Sequence, residues 1–233
     1  MKLKLLLAAA AVFAAVPAQA QDTETGNATF TGPRIQAQVG WNRTGINIFD
    51  TRNFGGRGNF GAGSEQDNEI SYGGEAGFDF DLGGLVVGAY VGGEFSNNSE
   101  GFNFTTATAT VPATPRLLLE MDRNLYAGGR VGVVAGGRAL IYAKGGLSRT
   151  TLEESNPAGT ARTVNFPTGD QDLDGIHFGG GVEVALSEMF YVRADYTHTR
   201  YDDMALPVQT NPAETFELHA NRNVVNFAVG VRF

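Results

Sequence analysis

Charged side chains with a shared spacing are the residues of this sequence best placed to do chemistry. Seven of them lie in six segments and alternate there with apolar residues: Glu75, Glu94, Arg130, Lys144, Glu183, Arg193 and Asp195. Since an unpaired charge away from water is costly, acids and bases that share an enclosed space must pair. We expect one network of ion pairs, in which Lys144 neutralises an acid such as Glu183. A permanent structural plug is favoured over a gate that works by pair exchange.

Two other motifs predict less. The stretch Gly56–Gly61 matches G-x-G-x-x-G, but no strand–turn–helix pattern surrounds it, so a surface loop is expected rather than a dinucleotide site. Asp170, Asp172 and Asp174 match the start of a calcium loop, yet its twelfth position, which should be acidic, is Gly181. We therefore expect no specific metal site and no cofactor, only weak, diffuse binding of divalent cations.

The three histidines are His177, His198 and His219. A lipid-modifying enzyme could use a histidine beside a serine and an acid. His198 has the parity for such a role, but Thr199 and Arg200 follow it instead of a paired serine. A structural role for His198 is favoured, and His177 is expected to join the charged network. No catalytic residue and no enzyme activity are predicted.

The N-terminus has the three parts of a cleavable secretory signal. Lys2 and Lys4 precede an apolar run from Leu5 to Val16, and an Ala-x-Ala ending follows at Ala20. The run is too short to cross ~30 Å of hydrocarbon as a helix. We expect residues 1–20 to be removed.

Charge and cysteine content exclude several classes of function. The signal holds two of the 17 basic residues and none of the 25 acidic ones, so the mature chain carries a net charge of about −10. Such a chain lacks the basic footprint that binds nucleic acid. The sequence has no cysteine, which excludes disulfides and thiolate sites.

The elements that carry the charges are predicted β-strands. From Glu69 to Leu82, apolar residues alternate strictly with acids and small polar residues, which is the period of two of a strand. The same alternation predicts eight strands: Arg34–Asn42, Glu69–Leu82, Leu85–Ser96, Leu119–Val134, Ala139–Thr150, Asp174–Leu186, Phe190–Tyr201 and Asn223–Phe233.

The connections between these strands alternate in length. Three are tight, at Gly83–Gly84, Ala135–Arg138 and Ser187–Met189, and four are long and polar, at Arg43–Asn68, Asn97–Arg116, Thr151–Leu173 and Asp202–Arg222. This alternation of short and long connections is typical of a membrane β-barrel, which has short turns in the periplasm and long loops outside the cell.

Side-chain placement favours an apolar outer surface over an apolar interior. Aromatic residues lie near the ends of the apolar faces, as in an interfacial girdle: Trp41, Tyr72, Phe80, Phe95, Phe190 and Phe233. The polar faces combine glycines with opposed charges that can pair in a narrow lumen. We predict an all-β fold, an eight-stranded antiparallel transmembrane up-and-down β-barrel over residues 33–233, after the signal at 1–20 and a short periplasmic segment at 21–32.

Parts of the chain resemble a known family. The stretch Asn223–Phe233, with its final Phe233, resembles the terminal strand of bacterial outer-membrane barrels. The segments Tyr142–Leu147, Gly179–Leu186 and Phe190–Tyr196 are similar to strands of small barrels of the OmpA-like and opacity-protein type. The resemblance implies an outer-membrane location and recognition of Phe233 by the barrel assembly machinery. No peptidoglycan-binding domain is expected, because nothing follows Phe233.

These observations favour a structural or surface-interaction barrel with a charged, plugged lumen and four long extracellular loops. A narrow ion or small-solute channel is the alternative, and a lipid-modifying enzyme is a weaker one. The expected partners are outer-membrane lipid and lipopolysaccharide, periplasmic chaperones and the assembly machinery, with no nucleic acid. The protein is expected to be a monomer.

Overall fold

The computed structural model describes residues 30–50, 64–96, 118–155, 171–208 and 211–233. Its strands are β1 (Gly32–Asp50), β2 (Ser64–Asp81), β3 (Leu85–Ser96), β4 (Leu118–Ala135), β5 (Ala139–Ser155), β6 (Gln171–Ala185), β7 (Phe190–Tyr201), β8 (Met204–Val208) and β9 (Asn211–Arg232). In this described part of the chain, no helix is long and apolar enough to cross a membrane.

The strands form one closed antiparallel sheet. Each pairs with the next along the chain from β1 to β7, β7 pairs with β9, and β9 returns to pair with β1, where Ile35 lies opposite Val231. The short β8 pairs with β9 beyond the end of β7 and so adds to the wall without entering the ring. The predicted eight-stranded antiparallel barrel is confirmed.

Burial alternates along each strand as the sequence pattern requires. On β7, Tyr191, Arg193 and Asp195 are almost completely buried, whereas Phe190 and Tyr196 are exposed on the other face. The six girdle aromatics named above are all exposed on the outer surface. Since polar side chains fill the inside and apolar ones cover the outside, the barrel is built for an apolar surrounding.

Three short turns close one end of the barrel, which we call the turn end; the opposite end is the far end. Gly83 and Gly84 lie in the left-handed region, with φ of 87° and 96°. The Asp81 carboxylate accepts hydrogen bonds from both of their amides, at 3.0 and 2.6 Å. A non-glycine residue would be strained at these two positions.

The strands extend further toward the far end than the sequence pattern predicts. The predicted loop Arg43–Asn68 contributes residues to β1 and β2, and the predicted loop Asp202–Arg222 contains β8 and half of β9. Strand ends also reach into the predicted loop Thr151–Leu173. Pairing between backbone groups does not require apolar side chains on either face. The strands therefore continue after the apolar–polar alternation has stopped. Loop Asn97–Arg116 and the glycine motif at Gly56–Gly61 lie outside the described residues.

Candidate functional site

The barrel interior holds equal numbers of buried acids and bases among the described residues. The six bases are Arg34, Arg130, Lys144, Arg193, Arg222 and Arg232, and the six acids are Glu69, Glu75, Asp79, Glu94, Glu183 and Asp195. The set includes all seven predicted network residues. These twelve groups together carry no net charge when all of them are ionised.

The layer nearest the turn end consists of multiply bonded ion pairs. Arg130 donates to both carboxylate oxygens of Asp79, at 2.9 and 2.6 Å, and to Glu183 at 2.9 Å. Arg232 donates to the other oxygen of Glu183, at 2.5 Å, and lies 3.2 Å from Asp79. Asp79 and Glu183 are fully buried. Such bidentate, charge-assisted bonds are the strong ones among protein hydrogen bonds.

The middle layer is centred on Glu75 and Asp195. Glu75 accepts from Arg34 at 2.7 Å and from Arg193 at 2.8 and 3.1 Å. Asp195 accepts from Lys144 at 2.6 Å and lies 2.9 Å from Arg193 Nε. Arg34 also donates to Asp79 at 3.0 Å, which joins this layer to the one below.

Toward the far end, neutral polar groups separate the ion pairs. Glu94 forms an ion pair with Arg222 at 2.8 Å and accepts amide hydrogen bonds from Gln38 at 2.6 Å and Asn226 at 3.2 Å. The Tyr126 hydroxyl accepts from Gln38 at 3.0 Å, so contact with the middle layer passes through neutral groups. Glu94 thus has one charged partner, Arg222, and two neutral ones.

His177 lies between two hydroxyl groups in the same half of the lumen. Its Nε2 is 2.7 Å from the Tyr90 hydroxyl, and its Nδ1 is 2.9 Å from Ser148 Oγ. The Tyr126 ring packs edge-on against the imidazole, at 5.9 Å between centroids. These contacts occupy both ring nitrogens, so His177 is a member of the hydrogen-bond network.

One expected pair differs in the structure. Lys144 binds Asp195, not Glu183, which is held by Arg130 and Arg232. Lys144 lies opposite Gly179 on β6, four positions nearer the far end than Glu183. Both residues lie in the lumen, as parity predicts, but at different depths, so the expected ion pair between Lys144 and Glu183 does not form.

Five of the twelve buried charges were not assigned from the sequence: Arg34, Glu69, Asp79, Arg222 and Arg232. Parity was the available signal for four of them, since Arg34, Glu69, Asp79 and Arg232 share the polar faces of predicted strands. Arg222 fell in a predicted loop, one residue before the predicted last strand, so the pattern offered nothing to place it.

Glycines on the polar faces make room for the network. A Cβ added at Gly88 would lie 2.0 Å from Asp79 Oδ1, and one at Gly230 would lie 2.3 Å from the Tyr191 ring. Side chains at these positions would displace the groups that fill the lumen. The glycine content of the inner faces is therefore a packing requirement of a narrow barrel.

An apolar cap closes the turn end. Phe30 is 1% exposed inside the barrel and packs with Val86, Leu140 and Tyr142, and Arg232 lies 5.2 Å above its ring. Gly32, with φ of 120°, turns the chain back beneath the wall; a Cβ there would lie 2.1 Å from the Phe233 carbonyl oxygen. The segment just before β1 thus contributes a side chain to the lumen.

Two small cavities bordered by described residues lie in the lumen toward the far end. A cavity bordered by Glu94, Lys144, His177 and Arg222 leaves about 20 Å³ to the centres of water molecules. That volume suits about one ordered water. A second cavity above it, beside Thr44 and Arg123, leaves about 10 Å³.

The remaining motifs form no assembled centre among the described residues. His198 Nδ1 lies 2.8 Å from the Asn223 amide oxygen, and its ring packs on Phe178 at 5.1 Å. Asp172 and Asp174 both lie beside Arg149, at 3.7 and 2.8 Å. The described residues contain no group of three or more side chains that could hold a metal ion.

His219 and Asp170 complete the set of candidate residues. His219 Nδ1 lies 2.5 Å from Asp203 Oδ1 near the far end. Asp170 lies outside the described residues, so the predicted start of a calcium loop is only partly described.

A closed antiparallel barrel with a neutral, ion-paired interior and an apolar exterior defines a β-barrel membrane protein. A family model describing the outer membrane protein beta-barrel domain matches residues 6–233, so the chain belongs to that family. The protein is located in the bacterial outer membrane.

Solved bacterial outer-membrane structures are similar to the chain at low sequence identity. OprG of Pseudomonas aeruginosa is 12% identical, with a TM-score of 0.52 over 91% of this chain and 99% of OprG. Neisserial surface protein A is 13% identical (TM-score 0.47, covering 87% and 98%), and the protease OmpT of Escherichia coli is 10% identical (0.45, covering 91% and 100%). No curated protein sequence matches.

Proposed function

We propose that the protein is a structural and surface-interaction barrel whose lumen is permanently plugged. The observation that carries the proposal is the packing of the described part of the interior. Six acids and six bases lie together there, and the larger of the two cavities that these residues border leaves about 20 Å³ to the centres of water molecules. Because opening the lumen would separate buried charges from their partners, the plug resists opening.

The charge balance also supports a plug over a selective pore. Ion-selective pores use rings of one sign of charge, whereas the charges of the middle layer alternate around Glu75, Arg193, Asp195 and Lys144. Phe30 adds an apolar barrier beneath them. An ion crossing the lumen would have to displace both the ion pairs and the cap.

A narrow channel is the second candidate. The feature that favours it is the far half of the lumen, where Glu94 and Arg222 border the cavities and neutral groups bridge the charges. Exchange of partners in the layers below could extend this space across the barrel.

Bilayer conductance separates the two candidates. We expect the wild-type protein, refolded and inserted into a planar lipid bilayer, to show little or rare conductance. Large, steady single-channel currents would contradict the plugged lumen and favour the channel.

The proposed orientation places the turn end in the periplasm and the long connections outside the cell. An epitope inserted at Gly136, in a short turn, should stay inaccessible to antibody on intact cells. An epitope near Gly159, outside the described residues, should be labelled. The reverse labelling pattern would contradict this orientation and place the turn end outside the cell.

The remaining parts of the proposal concern partners and activity. Phe233 would serve as the signal for the assembly machinery, with periplasmic chaperones acting before insertion, and the folded barrel would be a monomer. We assign no catalytic role: His198 contacts an amide oxygen and an aromatic ring rather than a serine hydroxyl. Deletion of Phe233 should lower outer-membrane levels on blots of fractionated cells.

A further inference from the structure

His177 is a titratable group of the lumen that does not contribute to its charge balance. Its two ring nitrogens contact hydroxyls, Tyr90 at 2.7 Å and Ser148 at 2.9 Å, rather than carboxylates. The residue is 4% exposed and borders the larger of the two cavities. A neutral imidazole therefore fits the lumen, in which six buried acids already balance six buried bases.

Both hydroxyls can accept a hydrogen bond from a protonated His177. A neutral imidazole has one N–H donor and one acceptor nitrogen, whereas the protonated ring has two donors. On protonation both ring nitrogens donate, so Tyr90 and Ser148 both accept. The hydroxyl proton of Ser148 must then point elsewhere, and Ser148 also borders the cavity. Protonation thus keeps the local contacts and adds a hydrogen-bond donor to the cavity wall.

The carboxylates that face His177 all have cationic partners. The titratable groups around its ring on β6 come from six other strands of the wall: Glu75 on β2, Tyr90 and Glu94 on β3, Tyr126 on β4, Lys144 on β5, Asp195 on β7 and Arg222 on β9. The three acids are already in ion pairs, Glu75 with Arg193, Glu94 with Arg222 and Asp195 with Lys144. Because a buried charge without a partner is costly, a proton on His177 must be balanced by an anion that enters the lumen.

The cavity beside His177 has the size and the lining for one small anion. It leaves about 20 Å³ to the centres of water molecules. That volume suits one water, and a chloride ion is only slightly larger. Lys144 borders the cavity and has three N–H donors, of which Asp195 accepts one at 2.6 Å. With His177 protonated, the cavity wall holds three positive charges, the third being that of Arg222, and one negative charge, that of Glu94.

The cavity lies on the side of the lumen that faces the far end. The second, smaller cavity above it shares Glu94, Asn124 and Arg222 in its wall. The ion pairs around Glu75 and the Phe30 cap lie on the opposite side, toward the turn end. An anion from the far end would therefore reach the cavity past Glu94 and Arg222, without crossing the plug.

We propose that the far half of the lumen binds one halide-sized anion, such as chloride, when His177 is protonated. The imidazolium, Lys144 and Arg222 supply the positive charge, and Ser148 donates its hydroxyl proton. Because the anion binds the protonated form, its apparent dissociation constant should rise about tenfold for each pH unit above the titration midpoint of His177. The proposal goes beyond the plug and does not depend on whether the layers below the cavity are permanently closed.

Chloride NMR of the folded wild-type protein in non-ionic detergent tests this site. Exchange between free and bound chloride broadens the chloride signal, and gluconate, which is too large for the cavity, keeps the ionic strength constant. We expect the broadening caused by the protein to increase as the pH falls from 8 to 4. Broadening that does not change with pH would overturn the proposal, and so would its absence at pH 4.

Variants assign the bound chloride to the lumen. H177Q keeps a polar side chain between the two hydroxyls but takes no proton, so the pH-dependent broadening should be lost. H198Q, changed on the outer surface, is the matched control and should behave like wild type. Ser148→Ala removes one donor and should weaken chloride binding about fivefold. Broadening in H177Q with the same pH dependence as in wild type would contradict the assignment.

If H177Q does not fold, as judged by heat-modifiable mobility on gels, the wild-type protein still decides. The imidazole NMR signal that persists in both H198Q and H219Q belongs to His177. Its titration midpoint should move to higher pH when chloride replaces gluconate, because the coupling between proton and anion is reciprocal. The same midpoint in both salts would overturn the proposal.

Discussion

The two halves of the lumen differ in the groups that surround their buried acids. Toward the turn end, Asp79 and Glu183 each contact two or more arginines, and Phe30 seals the space beneath. Toward the far end, Glu94 has one arginine, and amides, hydroxyls and small cavities surround it. The turn half therefore depends on mutual neutralisation, and the far half can recruit neutral groups or water when a partner is lost.

The largest expected difference concerns Glu183 and Glu94. Glu183→Gln leaves Asp79 as the one carboxylate shared by Arg130 and Arg232. A buried positive charge then lacks its counter-charge, and the barrel should be destabilised by ~3–5 kcal/mol. Glu94→Gln keeps an amide oxygen as acceptor beside a cavity large enough for a water molecule and should cost about 1–3 kcal/mol. Urea unfolding in lipid vesicles measures both. Equal losses would mean that the two halves do not differ in the way described.

The apolar cap gives the next effect. Phe30→Ala removes a buried ring from the turn end and should destabilise by about 3 kcal/mol. The same variant should raise the frequency of brief conductance events in planar bilayers. Phe190→Ala, which removes an exposed ring at the same end, is the matched control and should leave conductance unchanged. A leak in the control alone would rule out the cap.

Coupling between Lys144 and its partner comes third. The double-mutant cycle of Lys144→Met and Asp195→Asn should show an interaction of about 1–3 kcal/mol, because the side chains meet at 2.6 Å. The cycle of Lys144→Met with Glu183→Gln should be close to additive, since Glu183 bonds elsewhere. A larger coupling energy in the second cycle would contradict the Lys144–Asp195 pair and support the Lys144–Glu183 pair expected from the sequence.

The smallest effect is expected beside the cavity. Ser148→Ala removes the hydroxyl next to His177 Nδ1, and both residues border the space that suits a water. The loss should be about 1 kcal/mol or less, because water can replace the hydroxyl. Tyr142→Phe, whose hydroxyl donates to Asp195 at 3.1 Å in the tighter middle layer, should cost more. The reverse order in urea unfolding would contradict the contrast between the halves.

Much of the fold was predictable because residues in a barrel wall alternate between the apolar outer face and the polar inner face. β3 and β7 begin and end at the predicted residues, Leu85–Ser96 and Phe190–Tyr201. Strand ends were missed where the alternation stops but the ladder continues, as in β9, which begins at Asn211 rather than Asn223. Pairing of backbone groups requires no apolar pattern, so composition alone does not mark these ends.

For the candidate site, the sequence predicted which face of the wall each charged residue occupies, but not which residues form ion pairs. All seven predicted charges lie in the lumen, because parity along a strand decides the face and the pattern of apolar residues decides which face is inside. Parity carries no information on which charge meets which, since that depends on height in the barrel.

The sequence by itself determined the strands, the side of the wall that each residue faces and the excess of polar side chains inside. These follow from the two-residue period, a local property of the chain. Only the tertiary structure decided that Lys144 meets Asp195, that Arg222 reaches Glu94 and that Phe30 enters the lumen. The physical reason is the stagger between neighbouring strands, which is set by closure of the whole ring and adds up around the barrel.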